Sequence, residues 1–308
     1  MNVRTLLHST TGNTRLVTDY ALARLRRLGH ACEVVDIARR REPPADMDGV
    51  DALIVAGPTM YFRPTFAMES YVRRLPDVTG RTVPTFLLAT CQGDPVTQFA
   101  ILAEILGPKG YAAMAACAVQ AQTNWPMNRV LTDRIRWSLP VGEALIRVCA
   151  HLPGARDWLG TLGFVWPEAS EPDEKERDKV DRFVDRILEV AAGDGRDPAP
   201  APYALYRYVP LITPSGRHIT REQLVRSMPI QVDPDRCTRC GVCVRVCAAG
   251  VMTQADRDRV PVVGEGCTVC WACYNHCKDG AITGPLAREG RGRYAGPSER
   301  MRALFQPR

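Results

Sequence analysis

"LLHSTTGNTR", Leu6 to Arg15, joins the end of an apolar run to a cluster of hydroxyls, a glycine and the start of a helical pattern. Val3 to His8 reads as a strand. Thr14 to Leu28 reads as a helix, because Leu16, Val17, Tyr20, Leu22, Ala23 and Leu25 broadly follow helical spacing. Between them Ser9, Thr10, Thr11, Gly12, Asn13 and Thr14 offer hydroxyls and backbone N–H groups above a helix N-terminus, a setting that suits a phosphate. The loop lacks both G-x-G-x-x-G and a Gly-Lys-Ser/Thr ending, so a terminal monophosphate fits better than a dinucleotide or a nucleoside triphosphate. Hydroxyl-rich helix caps are common, so the loop alone leaves a purely structural role open.

Outward from this stretch, apolar runs alternate with amphipathic segments. Runs at Ala31–Ile37, from Asp51 ("DALIVAG"), from Thr82 ("TVPTFLLAT") and from Tyr111 ("YAAMAACAVQ") follow, with helical stretches near 65 to 75 and 95 to 107. Short continuous apolar runs separated by helices predict an α/β fold, a five-stranded parallel sheet covered on both faces. In the order 2-1-3-4-5, ligands lie outside the carboxyl ends of strands 1, 3 and 4. Pro58, Thr59, Met60, Tyr61 and Phe62 follow strand 3, and Thr90, Cys91, Gln92, Gly93 and Asp94 follow strand 4. Tyr61 or Phe62 is suited to stack on a flat ring, with backbone groups around Gln92 to Asp94 at its edge.

After strand 5 an insertion of about 121–170 holds four of the five tryptophans and reads as short helices broken at Pro140 and Pro153. Trp125 either reaches the ligand or packs against the sheet. "EPDEKERDKVDRFVDRILEVAAG" then supplies the helix that covers strand 5 and ends at Gly193, closing a first domain at 1–192. Residues 193–227 begin with "GDGRDPAPAP" and read as a linker, followed by a small domain at 228–286 and a basic tail at 287–308.

Eight of the twelve cysteines sit in two runs of C-x2-C-x2-C-x3-C, beginning at Cys237 and Cys267. Such pairs of tight runs fit metal ligation in a reducing compartment better than disulfides. Cys32, Cys91, Cys117 and Cys149 are scattered among apolar residues and read as buried small hydrophobes. C-x2-C-x2-C lets one loop present three sulfurs, with the fourth ligand from elsewhere; zinc sites use paired C-x2-C units and do not need duplicated triplets.

The N-terminal part resembles the flavodoxin family, whose T/S-x-T-G-N-T loop is matched by Ser9, Thr11, Gly12, Asn13 and Thr14. That resemblance implies a flavodoxin-like doubly wound sheet and non-covalent FMN. Ser9 to Thr14 would bind the phosphate, and Thr59 to Phe62 with Thr90 to Asp94 would frame the isoalloxazine. Residues 228 to 283 resemble the bacterial two-cluster ferredoxins, with Ile230, Val232, Val251 and Ile282 as a small core. Carried over by position, Cys237, Cys240, Cys243 and Cys277 would hold one [4Fe-4S] cluster and Cys267, Cys270, Cys273 and Cys247 the other. The proline that usually follows each run is Ala248 in the first and Lys278 in the second; a lysine there favours the more negative reduced state. From about residue 3 to 284 the chain resembles the fused flavodoxin-ferredoxin electron-transfer proteins, with "MPIQVDPDRCTRCGVC" and "CTVCWACYNHCKDGAI" the closest stretches.

The resemblance implies an electron carrier that relays single electrons between two clusters and FMN, to or from a partner redox enzyme, with no catalytic residue of its own. The alternative is an FMN-dependent reductase whose organic substrate lies under the Trp-rich insertion. The formal charge of +6 falls to roughly zero once two clusters and a flavin phosphate contribute about −2 each, which removes the support for nucleic acid. The last 25 residues carry six Arg against two Glu, a feature suited to an acidic partner. No run of about 18 uncharged apolar residues predicts a membrane span, and the expected location is cytoplasmic. An oligomer is compatible with all of this.

Overall fold

The computed structural model describes residues 1–61, 63–92, 98–122, 124, 172–193, 220–285 and 293–306. Phe62, Gly93, Asp94, Trp125, the Trp-rich insertion apart from Ala121, Gln122 and Asn124, and most of the expected linker lie outside the described residues. The first region runs β1 (Asn2–Leu7), α1 (Asn13–Arg27), β2 (Ala31–Asp36), β3 (Ala52–Met60), β4 (Arg63–Pro64), α2 (Phe66–Arg73), β5 (Val83–Cys91), α3 (Gln98–Leu106), β6 (Tyr111–Gln120) and α4 (Glu174–Ala192). The sheet order is β2-β1-β3-β5-β6, every pair parallel, and β4 folds back antiparallel on the end of β3. The five parallel strands and their order match the sequence reading, and the fold is the flavodoxin-like α/β type.

Period-2 alternation assigns each strand's side chains to opposite layers. On β3, Ala52, Ile54 and Ala56 face α1 and α4, where they meet Val17, Leu22, Val184 and Ile187. Leu53 and Val55 face α2 and α3 with Met68, Val72, Phe99 and Leu102. Both faces of the strand are therefore dry, as a central parallel strand requires. Each buried Val, Leu, Ile, Met or Phe among them contributes about 1.5–3 kcal/mol by burial. Helix α4 returns after the insertion to cover β6: Phe183 meets Phe86 edge-on with centroids 6.1 Å apart, and the buried Glu176 carboxylate accepts from the Gln120 N–H at 2.8 Å.

The second region holds α5 (Arg221–Ser227), β7 (Gln231–Val232), α6 (Val242–Arg245), β8 (Met252–Thr253), β9 (Val262–Val263), α7 (Ala272–His276) and β10 (Ile282–Thr283). β7 pairs with β10 and β8 with β9, both antiparallel. The helix α5 falls inside the stretch read as a linker. A Thr220–Gln223 capping box starts it, and Leu224 packs with Met228 and Ile230 into the core of this region.

The described part of the basic tail is docked, not solvated. Helix α8 (Glu299–Leu304) places Met301 and Leu304, with Phe305 beyond it, in the core beside α1 and α4; the Phe305 ring lies 5.6 Å from that of Tyr20. The arginine count suggested a surface for an acidic partner, and apolar residues three and four apart also supply a face that α1 and α4 bury.

Candidate functional site

The carboxyl ends of β1, β3 and β5 open on a cleft of about 350 Å³. Ser9, Thr10, Thr11, Asn13 and Thr14 line one side, Pro58, Thr59, Thr90, Cys91 and Gln92 another, and Ala121, Gln122 and Asn124 a third. The loop below α1 is held by its own side chains. Ser9 Oγ accepts from the N–H groups of Gly12 (3.2 Å) and Arg15 (3.1 Å), and Thr14 Oγ1 meets Thr90 Oγ1 at 2.7 Å. Thr59 donates to Gln98 Oε1 at 2.5 Å, while Gln98 donates to the Gly57 carbonyl at 3.3 Å. Gly12 has φ +105 and sits against Pro297, where a side chain would both strain the backbone and collide. The first turn of α1 carries no acidic residue, so the helix dipole and free N–H groups remain available to an anion. Just before the loop, buried His8 bonds Thr65 Oγ1 at 2.6 Å; desolvation lowers its pKa to about 4 against the opposing pull of Asp36, so the ring is neutral at neutral pH.

The cysteines gather in the second region. Cys237, Cys240, Cys243 and Cys277 line one cavity of about 320 Å³, floored by Pro261, Ala281 and Ile282. In the other set, Cys247 and Cys267 lie close enough to Cys270 and Cys273 to discourage ionisation of those two thiols, as Cys247 does at Cys267. Burial is the larger cause and raises the Cys270 and Cys243 thiols to about 11, and Cys273 well above its ordinary value. Buried sulfurs in such company become thiolates only when a cation takes up the charge, which a metal cluster does. Among the described residues no three His, Cys, Asp or Glu converge tightly enough for a single ion.

Backbone strain marks both runs at matching places. Arg239 (φ 59) and Gly241 (φ 68) flank Cys240, and Val269 (φ 48) and Trp271 (φ 59) flank Cys270. Left-handed backbone at a β-branched valine and a bulky tryptophan is unfavourable and persists only where the surroundings impose it. In each run it turns the chain sharply on either side of the middle cysteine of the three.

Of the residues expected beside a flat ring, Pro58, Thr59, Thr90, Cys91 and Gln92 line the cleft with the phosphate loop, whereas Met60 and Tyr61 face elsewhere. Tyr61 has φ +54, which turns the chain from β3 into β4 and carries the side chain into the core of the cysteine region. Its hydroxyl donates to the Val269 carbonyl at 3.0 Å and accepts from Trp271 Nε1 at 2.8 Å. Met60 packs in the same cluster with Trp271 and Tyr274. A wall of the cleft and a wall of the second cysteine run are thus continuous. Sequence reasoning passed over Ala121, Gln122 and Asn124 as cleft residues, although they open the insertion that follows strand 5. It had no signal for Asn275 and Tyr294, which bond Asn124 and Asn13, 151 and 281 positions away.

Residues 229–252 match the family model described as a 4Fe-4S binding domain. The chain joins a flavodoxin-like sheet to a ferredoxin-type segment. The ferredoxin-type match covers Cys237 to Cys247, and the second run repeats its turn geometry. Solved structures similar to this chain include flavodoxin 1 from Bacillus cereus, at 18% identity over 40% of this chain and 87% of that one, with a TM-score of 0.31. A flavodoxin from the domain Archaea matches at 16% identity over 47% and 98%, TM-score 0.32. An NAD(P)H:quinone oxidoreductase from Methanothermobacter marburgensis matches at 16% over 38% and 80%, TM-score 0.28. No curated protein sequence matches this chain. Among the described residues no helix is long and apolar enough to cross a membrane.

Proposed function

We propose that this chain is an electron-transfer flavo-iron-sulfur protein that holds FMN in the cleft and two [4Fe-4S] clusters in the cysteine cages, and that it exchanges electrons with a partner redox protein. When bound, FMN exchanges one or two electrons and each cluster one, so the pairing converts between the two kinds of traffic. The observation that carries the reading is the Tyr61 bridge, because it joins the loop after β3 to the backbone between Cys267 and Cys270.

The chain's own residues have simple tasks. Loop N–H groups and hydroxyls from Ser9 to Thr14 hold the phosphate. Pro58, Thr59, Thr90 and Gln92 orient the ring. Cys237, Cys240, Cys243 and Cys277 hold one cluster; Cys247, Cys267, Cys270 and Cys273 hold the other. Met60, Trp271 and Tyr274 keep water out of the junction, and burial raises the Tyr61 hydroxyl's pKa so that it stays a proton donor. The exposed Arg300 and Arg302 on α8 favour an acidic partner surface.

The test is made on anaerobically purified protein reduced by a low-potential donor and then offered acceptors. Fast reoxidation by a second redox protein, with no turnover of quinones, azo dyes or other small molecules, is the expected result. Sustained turnover of a small molecule without any partner overturns the carrier reading in favour of a reductase.

A further inference from the structure

Asn275 stands in α7, two residues after Cys273 and two before Cys277. Its side-chain oxygen accepts from the Tyr294 backbone N–H at 2.8 Å, and its amide nitrogen donates to the carbonyls of Asn124 and Trp271, each at 2.9 Å. Both amide hydrogens and the oxygen are committed, and backbone partners fix which end is which. Two arms run from this residue to the phosphate loop. Along one, Asn124 Nδ2 donates to Thr10 Oγ1 at 2.6 Å. Along the other, the Tyr294 hydroxyl donates to Asn13 Oδ1 at 2.9 Å. Asn13 Nδ2 then donates to the Gln122 carbonyl at 3.1 Å, two residues from Asn124, which closes the arms into a ring. Thr10, Asn13, Asn124 and Tyr294 are all buried, so a broken link strands a polar group away from water.

We propose that Asn275 and Tyr294 are positioning residues for the phosphate loop, and that through them retention of FMN depends on assembly of the cysteine cages. Helix α7 has five residues, too few to hold its shape alone; beside the packing of Ala272 and Tyr274, the cysteines at its two ends, ligated, help to fix it. With the cages unassembled, α7 loosens, Asn275 lets go of both arms, and Thr10 and Asn13 lose the bonds that set the loop. Coupling of this kind is reciprocal, so bound FMN favours assembled cages to the same extent. The inference rests on the reading that the flavin phosphate occupies the Ser9–Thr14 loop.

The experiment titrates FMN into flavin-free whole chain and follows flavin fluorescence, with clusters loaded and after their removal by a ferrous chelator with oxidant. Loss of one to two buried hydrogen bonds predicts about tenfold tighter FMN binding by the loaded wild type than by the stripped one. Tyr294→Phe cuts one arm and should narrow that ratio to about threefold; Asn275→Ala cuts both and should bring it near unity. If Asn275→Ala fails to load iron, Tyr294→Phe, which removes a single hydroxyl, decides the matter. FMN bound equally tightly with and without clusters, or a Tyr294→Phe ratio equal to the wild type's, overturns the coupling while leaving the carrier reading intact. A loaded wild type that binds no FMN overturns the carrier reading and this inference together.

Discussion

Gly12→Ala should damage the phosphate loop twice over. Gly12 is the N-cap of α1 with φ +105 and ψ −20, and a side chain held in such backbone costs about 1–3 kcal/mol. The added Cβ would lie 3.0 Å from Pro297 Cδ and 3.3 Å from Pro297 Cγ, well inside the roughly 3.5–4.0 Å at which carbons pack. Overpacking of that kind costs about 1–3 kcal/mol more, so the two effects together should remove about 2–6 kcal/mol of stability. The effects separate, because Pro297→Ala deletes both colliding atoms and leaves the backbone strain in place. Urea unfolding of wild type, both single variants and the double variant yields the coupling energy, expected at about 1 kcal/mol or more. A Gly12→Ala cost below about 0.5 kcal/mol, or an equal cost in the two Pro297 backgrounds, would refute the account of how the tail meets the loop.

Phe305→Ala should lose about 3–5 kcal/mol, since the ring is fully buried against Tyr20; thermal unfolding and limited proteolysis should show the C-terminal helix released, and an unchanged transition would contradict its docking. His8 has its folded pKa depressed to about 4 from an ordinary 6.5, so the unfolded chain takes up the proton first as pH falls. Its penalty is absent above pH 6.5 and grows down to about pH 4, reaching about 2 kcal/mol at pH 5. Unfolding free energies from pH 7.5 to 5 should therefore fall more steeply for wild type than for His8→Phe, and equal slopes would count against it. Cys247→Ser should lower the iron content by about half while sparing the cage of Cys237, Cys240, Cys243 and Cys277; equal loss from both cages would break the assignment.

The parallel sheet was readable because its signal is local. Apolar runs at Val3–His8 and from Asp51, Thr82 and Tyr111 mark strands that bury both faces, and the Leu16–Leu25 pattern marks α1. The two cysteine runs were readable for the same reason, since each is one contiguous C-x2-C-x2-C-x3-C stretch. What escaped depends on contacts between distant residues. Tyr61 follows β3 where a ring-stacking residue is expected, yet a left-handed turn sends it to Val269, 208 positions away. The tail read as basic because six arginines dominate its composition, while Met301, Leu304 and Phe305 decide where it goes. Tyr294 and Asn13, separated by 281 positions, leave no periodicity that a sequence could display.

Iron, acid-labile sulfide and flavin per chain, measured with a visible spectrum on protein purified without air, test the central claim most directly: one polypeptide carries both kinds of redox centre. Roughly eight irons, eight sulfides and one FMN are predicted. About two zinc ions, no sulfide and no flavin would contradict it.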